Sequence, residues 1–355
     1  MVCSVFLGIS QKDNSNSFID INVYSGNIAR HNDNITHLIK AHPNGFILGW
    51  NKQVSGEKWW HSRYNYPEFG ASFVAQEFNS SELGASYGLY AHYNFYFFKR
   101  RLMLRLAQGI SYATNPYDKF ENPKNIAFGS DLLSGTYLML NYTRPRLFGA
   151  IGVQAGLTLL HLSNANVKAP NTSINTVAFN VGFSTALELN DTTKVFQIFE
   201  DYIDKKIHYG FIFRTGVNQS DVVGSDQFPF YVVSAFAEKR LNAKSLIMVG
   251  AEFFNSKFLK EYIYYQSVAY PESNVTSDLD YKRAGVYVGH ELLFGQTSIL
   301  TQLGYYVYAP FEFEGSIYNR IGLKHFVTTR WFVSATLKSH TAKAEALELS
   351  IGLKL

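Results

Sequence analysis

The chain has 355 residues, a formal net charge of +4 and 46% hydrophobic residues, without the run of roughly 18 apolar residues that a membrane-spanning helix needs. These properties argue against a helical membrane protein, and the scattered Lys and Arg residues argue against nucleic-acid binding. The 24 Tyr and 29 Phe residues are typical of a β-barrel with aromatic residues at both membrane interfaces.

The N-terminal segment 1–17 is predicted to be a residual leader, because Met1 to Ser10 resemble the hydrophobic end of a secretory signal. A short disordered N-terminus is the alternative, since no basic residue precedes the apolar run. The single cysteine, Cys3, lies in this segment. Without the leader, the chain would therefore have neither a disulfide nor a thiol nucleophile.

Residues 18–67 are predicted to be an N-terminal extension that supplies either two additional strands or a periplasmic cap. Strand-like patches lie at 18–25 and 46–54. The segment also holds His31, His37 and His42, whose spacing matches no metal-ligand pattern. We therefore expect neither a metal ion nor another cofactor.

Residues 68–355 alternate between apolar and polar positions in segments of about ten residues, which is typical of membrane-spanning strands. In the final segment, apolar Leu347, Leu349, Ile351, Leu353 and Leu355 alternate with Glu348, Ser350, Gly352 and Lys354. Tight turns also alternate with longer polar loops. The pattern predicts an all-β fold: a transmembrane antiparallel β-barrel of about 14 strands, within a range of about 12 to 16. A soluble β-sandwich is the alternative.

Two features inside this region carry separate predictions. The connection at 190–206 is long for a periplasmic turn, and its apolar residues at helical spacing predict an amphipathic helix on the inner interface. Glu252 and Glu291 fall on the polar side of their strands, so they are predicted to be charges inside the barrel.

Three polar residues fall on the apolar, lipid-facing side of neighbouring strands. His161 and Ser163 continue the apolar face of the segment 147–161, and Asn175 lies on the apolar face of the next strand. Polar side chains at lipid-facing positions are costly without a function. Because Cβ atoms at positions i and i+2 are roughly 7 Å apart, His161 is within reach as a base for Ser163. The alternative is that both are interfacial polar residues.

The wider segment from His161 to Asn175, with the letters HLSNANVKAPNTSIN, resembles the active-site segment of the PagL-type lipid A 3-O-deacylases. The His-x-Ser-Asn-Ala opening and the Lys-x-Pro-Asn-x-x-Ile tail both match. The resemblance implies that Ser163 is the nucleophile, His161 the general base and Asn171 an oxyanion donor. Asn175 stands where better-known members have the triad Glu, and Asn166 stands where a Gly is typical of the oxyanion loop.

The resemblance implies a serine acyl hydrolase of the bacterial outer membrane that removes an ester-linked acyl chain from lipid A. Its partners would be lipopolysaccharide and the membrane, with a homodimer as one state that the sequence allows. The alternative is a non-catalytic barrel, a channel or a lipid-binding relative, that has lost the triad acid. A structural or adhesive surface protein that uses the long loop 255–282 is a third interpretation.

Overall fold

The computed structural model describes residues 17–187, 204–341 and 343–355, which form two closed antiparallel β-barrels of eight strands each. The strands of the first barrel are β1 (Ser17–Ile28), β2 (Asn44–Gln53), β3 (Glu68–Glu77), β4 (Ala85–Phe97), β5 (Leu102–Ala113), β6 (Leu132–Phe148), β7 (Ile151–Ser163) and β8 (Ile174–Ala186). A 3₁₀ turn (Asp33–Leu38) follows β1, and the short helix α1 (Trp59–Arg63) follows β2. Pairing of β1 with β8 closes this barrel.

The second barrel repeats this architecture. Its strands are β9 (Ile207–Gln219), β10 (Gln227–Arg240), β11 (Ser245–Ser256), β12 (Arg283–Phe294), β13 (Thr297–Tyr308), β14 (Ile317–Phe326), β15 (Trp331–His340) and β16 (Lys343–Lys354). Helix α2 (Phe258–Ala269) and a 3₁₀ turn (Pro271–Ser273) lie between β11 and β12. Pairing of β16 with β9 closes this barrel. Among the described residues, no helix has both the length and the apolarity to cross a bilayer.

The all-β antiparallel barrel fold is confirmed, but the prediction of one barrel of about 14 strands is wrong, because 16 strands close as two barrels. Residues 18–67 supply β1 and β2 of the first barrel, and residues 68–355 contain the rest of that barrel and all of the second. Alternation is a local signal, so it cannot show which distant strands pair. Residues 1–16 of the predicted leader and residues 190–203 of the predicted helix lie outside the described residues.

Side chains fill both barrel interiors, as is usual for eight-stranded barrels. In the first barrel, Arg105 Nη2 lies 2.7 Å from Asp20 Oδ2. In the second, Lys324 Nζ lies 2.8 Å from Glu291 Oε1, and Arg320 Nη1 lies 3.1 Å from Glu252 Oε1. Glu252 and Glu291 are therefore inside a barrel, as predicted.

The outward faces of both barrels are apolar. On β8, Val177, Phe179, Val181 and Phe183 are each 43–58% exposed, and they alternate with buried residues. This is the arrangement that a hydrocarbon environment requires. The end of each barrel that carries the longer loops, where β7 ends and β8 begins, is called the outer end below, and the opposite end the inner end.

The two barrels contact each other at the inner end through α1 and its flanks. Trp60 packs edge-on against Phe294 with ring centroids 6.5 Å apart, and the Tyr64 hydroxyl donates to the Leu293 carbonyl at 2.9 Å. Burial, with a smaller effect of Lys58, lowers the pKa of His61 to about 4. The neutral ring accepts from the Gly56 amide at 3.0 Å through Nδ1, which fixes the turn that presents α1 to the second barrel.

Candidate active site

The candidate site lies at the outer end of β7 and β8. The strand register pairs His161 of β7 directly with Asn175 of β8, and Ser163 follows two residues after His161. The ten residues 164–173 that connect the two strands are called the motif loop. His161 and Asn175 lie on the outward face and are partly exposed, as the alternation predicted. Ser163 has the same parity but is only 4% exposed, because the motif loop covers it.

A hydrogen bond of 2.7 Å joins His161 Nδ1 to Asn175 Oδ1. An amide oxygen can only accept, so the proton of the bond belongs to His161 Nδ1. In the neutral ring, Nε2 is then unprotonated and can act as a base. The structure therefore brings together the histidine and the asparagine that the sequence singled out, in the tautomer that base catalysis requires.

His31 holds the other end of the Asn175 amide. Asn175 Nδ2 lies 3.2 Å from His31 Nδ1, and His31 Nε2 lies 2.9 Å from the Thr172 carbonyl oxygen. These contacts are satisfied together if Asn175 donates to Nδ1 and Nε2–H donates to Thr172. In that tautomer His31 Nδ1 has no proton, so its 3.2 Å contact with the Ala29 carbonyl oxygen is not a hydrogen bond. His31 thus orients Asn175 with its oxygen towards His161.

The sequence contained His31 but gave no signal for this contact, which joins residues 144 positions apart. The neighbouring histidines have other partners. His37 Nε2 lies 2.7 Å from the Lys124 carbonyl oxygen, and His42 Nδ1 lies 2.7 Å from Asn27 Oδ1. Each of the three histidines of this segment therefore has its own hydrogen-bond partners.

The Ser163 hydroxyl is held by the motif loop. Its Oγ donates to Asn171 Oδ1 at 3.1 Å and accepts from the Ala165 amide at 3.0 Å. Asn171 Oδ1 also accepts from the Asn164 amide at 3.0 Å. The Ser163 hydroxyl is therefore directed at Asn171, and a rotation about Cα–Cβ into another staggered position would be needed to bring it to His161.

Asn166 has left-handed backbone geometry, with φ 62° after Ala165 at φ 55°. Asn tolerates this region better than most residues. Its amide donates to Asn164 Oδ1 at 3.1 Å, and its side chain donates to the Gln219 carbonyl at 3.1 Å. Both types of N–H group on Asn166 are therefore engaged, and the amide beside Ser163 is that of Ala165. Nothing in the sequence marks an alanine for a left-handed conformation.

Apolar side chains extend from the site along the outward face towards the inner end. Leu157 and Leu159 on β7 are 56% and 39% exposed, and Val177 and Phe179 on β8 are 44% and 58% exposed. A reacting ester at His161 would thus have an apolar wall on one side and the polar motif loop on the other. This division suits an amphiphile that carries its polar group at the outer end.

Two family models match the chain. One, described as lipid A 3-O-deacylase (PagL), matches residues 44–184, and the other, described as acyloxyacyl hydrolase, C-terminal domain, matches residues 207–355. The chain belongs to the PagL family of lipid A 3-O-deacylases. The PagL match runs from β2 to β8 and includes the motif loop, and the second match contains β9–β16. The boundary between the two matches therefore coincides with the division into two barrels, and β1 lies outside the PagL match.

Comparison with solved structures adds no detail to this assignment. A variant of the Rhodopseudomonas blastica porin is 10% identical, with 96% of this chain and 99% of the porin covered, at a TM-score of 0.19. The outer membrane protein Omp33 of Acinetobacter baumannii is 8% identical, with 97% and 100% covered, at a TM-score of 0.20. At such scores the likeness supports no argument. No curated protein matches the chain in sequence.

Proposed function

We propose that the chain is a serine acyl hydrolase of the bacterial outer membrane that removes an ester-linked acyl chain from lipid A. The observation that carries the proposal is the 2.7 Å hydrogen bond between His161 Nδ1 and Asn175 Oδ1 on an outward barrel face. His161 lies two residues before Ser163 in the same strand. Membership of the PagL family supports lipid A, and hence lipopolysaccharide, as the substrate.

The reaction would begin when Ser163 turns from Asn171 towards His161. His161 Nε2 takes the hydroxyl proton while Oγ bonds to the ester carbonyl carbon. The tetrahedral oxyanion is stabilised by the Ala165 amide and by the Asn171 side-chain Nδ2, whose oxygen already accepts two hydrogen bonds. The bond between the carbonyl carbon and the sugar oxygen then breaks, and His161 gives its proton to the departing sugar oxygen.

The second half of the reaction releases the fatty acid. The acyl group is now an ester of Ser163, and a water molecule loses a proton to His161 Nε2 as it attacks the carbonyl carbon. The bond to Oγ breaks, Ser163 recovers its proton, and a free carboxylic acid leaves along the apolar wall. The reaction consumes one water molecule and needs no cofactor.

Asn175 would orient His161 without contributing charge. Its oxygen holds Nδ1–H and so maintains the tautomer, but a neutral amide cannot offset the positive charge that His161 acquires in the transition state. In a serine protease, replacing the acidic residue by an amide costs about four orders of magnitude in kcat. We therefore expect slow turnover.

A non-catalytic, lipid-binding relative is the second candidate, and two observations favour it. Asn175 is neutral, and the Ser163 hydroxyl donates to Asn171 Oδ1 at 3.1 Å instead of to His161. The channel form of this alternative depended on a lumen of about 14 strands. The closure into two eight-stranded barrels with packed interiors removes that basis.

Mass spectrometry of lipid A from cells that express the chain would test the proposal. Expression of the unaltered protein should yield a lipid A species that has lost one acyl chain, and Ser163→Ala should abolish it. Ser316→Ala, which alters a serine at the outer end of the second barrel, is the matched control and should leave the product unchanged. Equal deacylation by Ser163→Ala and the unaltered protein would refute the assignment of the nucleophile, and no deacylation by either would favour the lipid-binding alternative.

A further inference from the structure

We infer that the second barrel acts as a clamp that holds the motif loop of the first barrel in place. Gln219 is the positioning residue through which it acts. Gln219 is the last residue of β9, at the outer end of the second barrel. The inference deepens the proposed function and rests on it for its effect on the reaction rate. Whether the second barrel holds the motif loop can be tested without measuring activity.

Gln219 binds the motif loop through its backbone and its side chain. Its amide donates to the Asn166 carbonyl at 3.2 Å, and its carbonyl accepts from Asn166 Nδ2 at 3.1 Å. Its side-chain Oε1 accepts from the Ala169 amide at 2.8 Å. Three hydrogen bonds from one residue thus hold two positions of the loop that covers Ser163.

Two further contacts define the geometry of the clamp. Gln219 Nε2 donates to the Ser225 carbonyl, which leaves Oε1 directed at Ala169. Gln227, which is paired with Gln219 in the sheet, donates from Nε2 to the Val167 carbonyl at 2.6 Å. The outer end of the β9–β10 pair therefore contacts the loop at Asn166, Val167 and Ala169.

The position of Gln219 on the barrel supports a dedicated contact. It shares the outward parity of Phe213 and Val217, which are 43% and 42% exposed, yet it is only 4% exposed itself. A glutamine on an outward face would be costly in an apolar environment unless its amide groups were bonded. The motif loop supplies those bonds.

The first barrel holds the remaining part of the loop. Thr172 bonds the Ile126 carbonyl through its amide at 3.1 Å and its hydroxyl at 2.6 Å. Gly129 packs so closely below the loop that a Cβ atom there would lie 2.5 Å from the Lys168 carbonyl oxygen. The second barrel thus holds the loop at Asn166, Val167 and Ala169, and the first barrel contacts it at Lys168 and Thr172.

The clamp matters for chemistry because Ala165 lies directly before Asn166. Holding the carbonyl and side chain of Asn166 restricts the backbone that carries the Ala165 amide, the donor that we place at the oxyanion. A misplacement of about 1 Å in a reacting geometry can cost about a hundredfold in rate. This gives the substitution of Asn for the typical Gly a physical role: its side chain forms one of the bonds to the second barrel.

Gln219→Ala in the full chain tests the clamp with two measurements. Loss of the bond to Ala169 should lower kcat for lipid A deacylation roughly tenfold, with KM within about twofold, because the oxyanion donor is displaced while the substrate surface is intact. Trypsin cleavage at Lys168–Ala169, followed by mass spectrometry of the fragments, should become several-fold faster. Gln296→Ala, at the inner end of the same barrel, is the matched control and should change neither.

Two companion variants distinguish the loss of this contact from a folding defect in the second barrel. Gln219→Glu keeps an oxygen for the Ala169 amide but loses the donation to the Ser225 carbonyl, so it should be cleaved more slowly than Gln219→Ala and faster than the unaltered protein. Asn166→Gly suits φ 62° but removes the side-chain bond from the side of the first barrel, and it should accelerate cleavage without any change in the second barrel.

The possible failures are distinguishable. Unchanged cleavage in Gln219→Ala would overturn the clamp at any level of activity, and faster cleavage with unchanged kcat would overturn its positioning role. If the unaltered protein releases no fatty acid, the proposed function fails, and the cleavage rates still decide whether the second barrel holds the loop.

Discussion

The seventh strands of the two barrels, β7 and β15, both end in a serine and a histidine at the outer end, but only β7 presents its histidine outward. His161 lies on the outward face and bonds Asn175 across the strand pair. His340 has the parity of the inward residues Thr336 and Lys338 and is 3% exposed. Its Nε2 lies 3.2 Å from the Tyr306 hydroxyl, and its Nδ1 lies 3.5 Å from Glu345.

The difference shows that position along a barrel does not suffice to make a site. A shift of one residue along a strand moves a side chain from the membrane to the interior. In β15 His340 becomes part of the ion-pair network inside the barrel, whereas in β7 His161 lies on the outward, apolar face. The same residue types thus support packing in one barrel and, in our proposal, chemistry in the other.

The largest expected difference between the two strand ends is in the rate of deacylation, because only His161 is a proposed base. His161→Ala should lower deacylation about 10²- to 10⁴-fold, the range typical of a general base. His340→Gln is its matched control and should leave deacylation per folded molecule unchanged. Kinetics on purified lipid A with both variants would measure this, and an equal loss in both would mean that the outward histidine has no special role.

The next effect concerns the stability of the second barrel. Arg320→Met removes the partner of Glu252 and Glu348, all within the barrel interior, so it should lower the free energy of unfolding by about 3–5 kcal/mol. The neighbouring Ile321→Ala, on the outward face, should cost less than about 1 kcal/mol. Urea unfolding in lipid vesicles would compare the two, and equal costs would contradict a network whose charges depend on one another.

Alternation in the sequence predicted the outward position of His161 and Asn175, because the face of a residue depends only on its strand parity. It could not predict closure into two barrels, since that depends on β1 meeting β8 and β9 meeting β16. The contacts of His31 with Asn175 and of Gln219 with Asn166 were equally inaccessible, because each joins residues far apart in the chain. The motif identified the candidate residues of the proposed site, and only the structure identified the residues that contact them.

A smaller effect, and one of opposite sign, is expected from Asn175→Glu. A carboxylate would accept from His161 Nδ1–H and also offset the charge on the imidazolium, so kcat should rise at least about tenfold. Asn175→Ala, which removes both functions, should lower it. Steady-state kinetics would decide, and a fall in Asn175→Glu would show that the site depends on the amide, including its donation to His31.

The smallest effect, from His31→Ala, tests why an amide can serve at position 175. An amide can turn over and present Nδ2 to His161, and the 3.2 Å contact with His31 opposes this because only Nδ2 can donate to His31. The variant should therefore lose roughly fivefold in kcat, the equivalent of about one hydrogen bond. A carboxylate has two equivalent acceptors, so the same substitution in the Asn175→Glu background should have a smaller effect, measured as the coupling in a double-mutant cycle. Equal losses in both backgrounds would mean that His31 supports the motif loop through Thr172 and not the orientation of the amide.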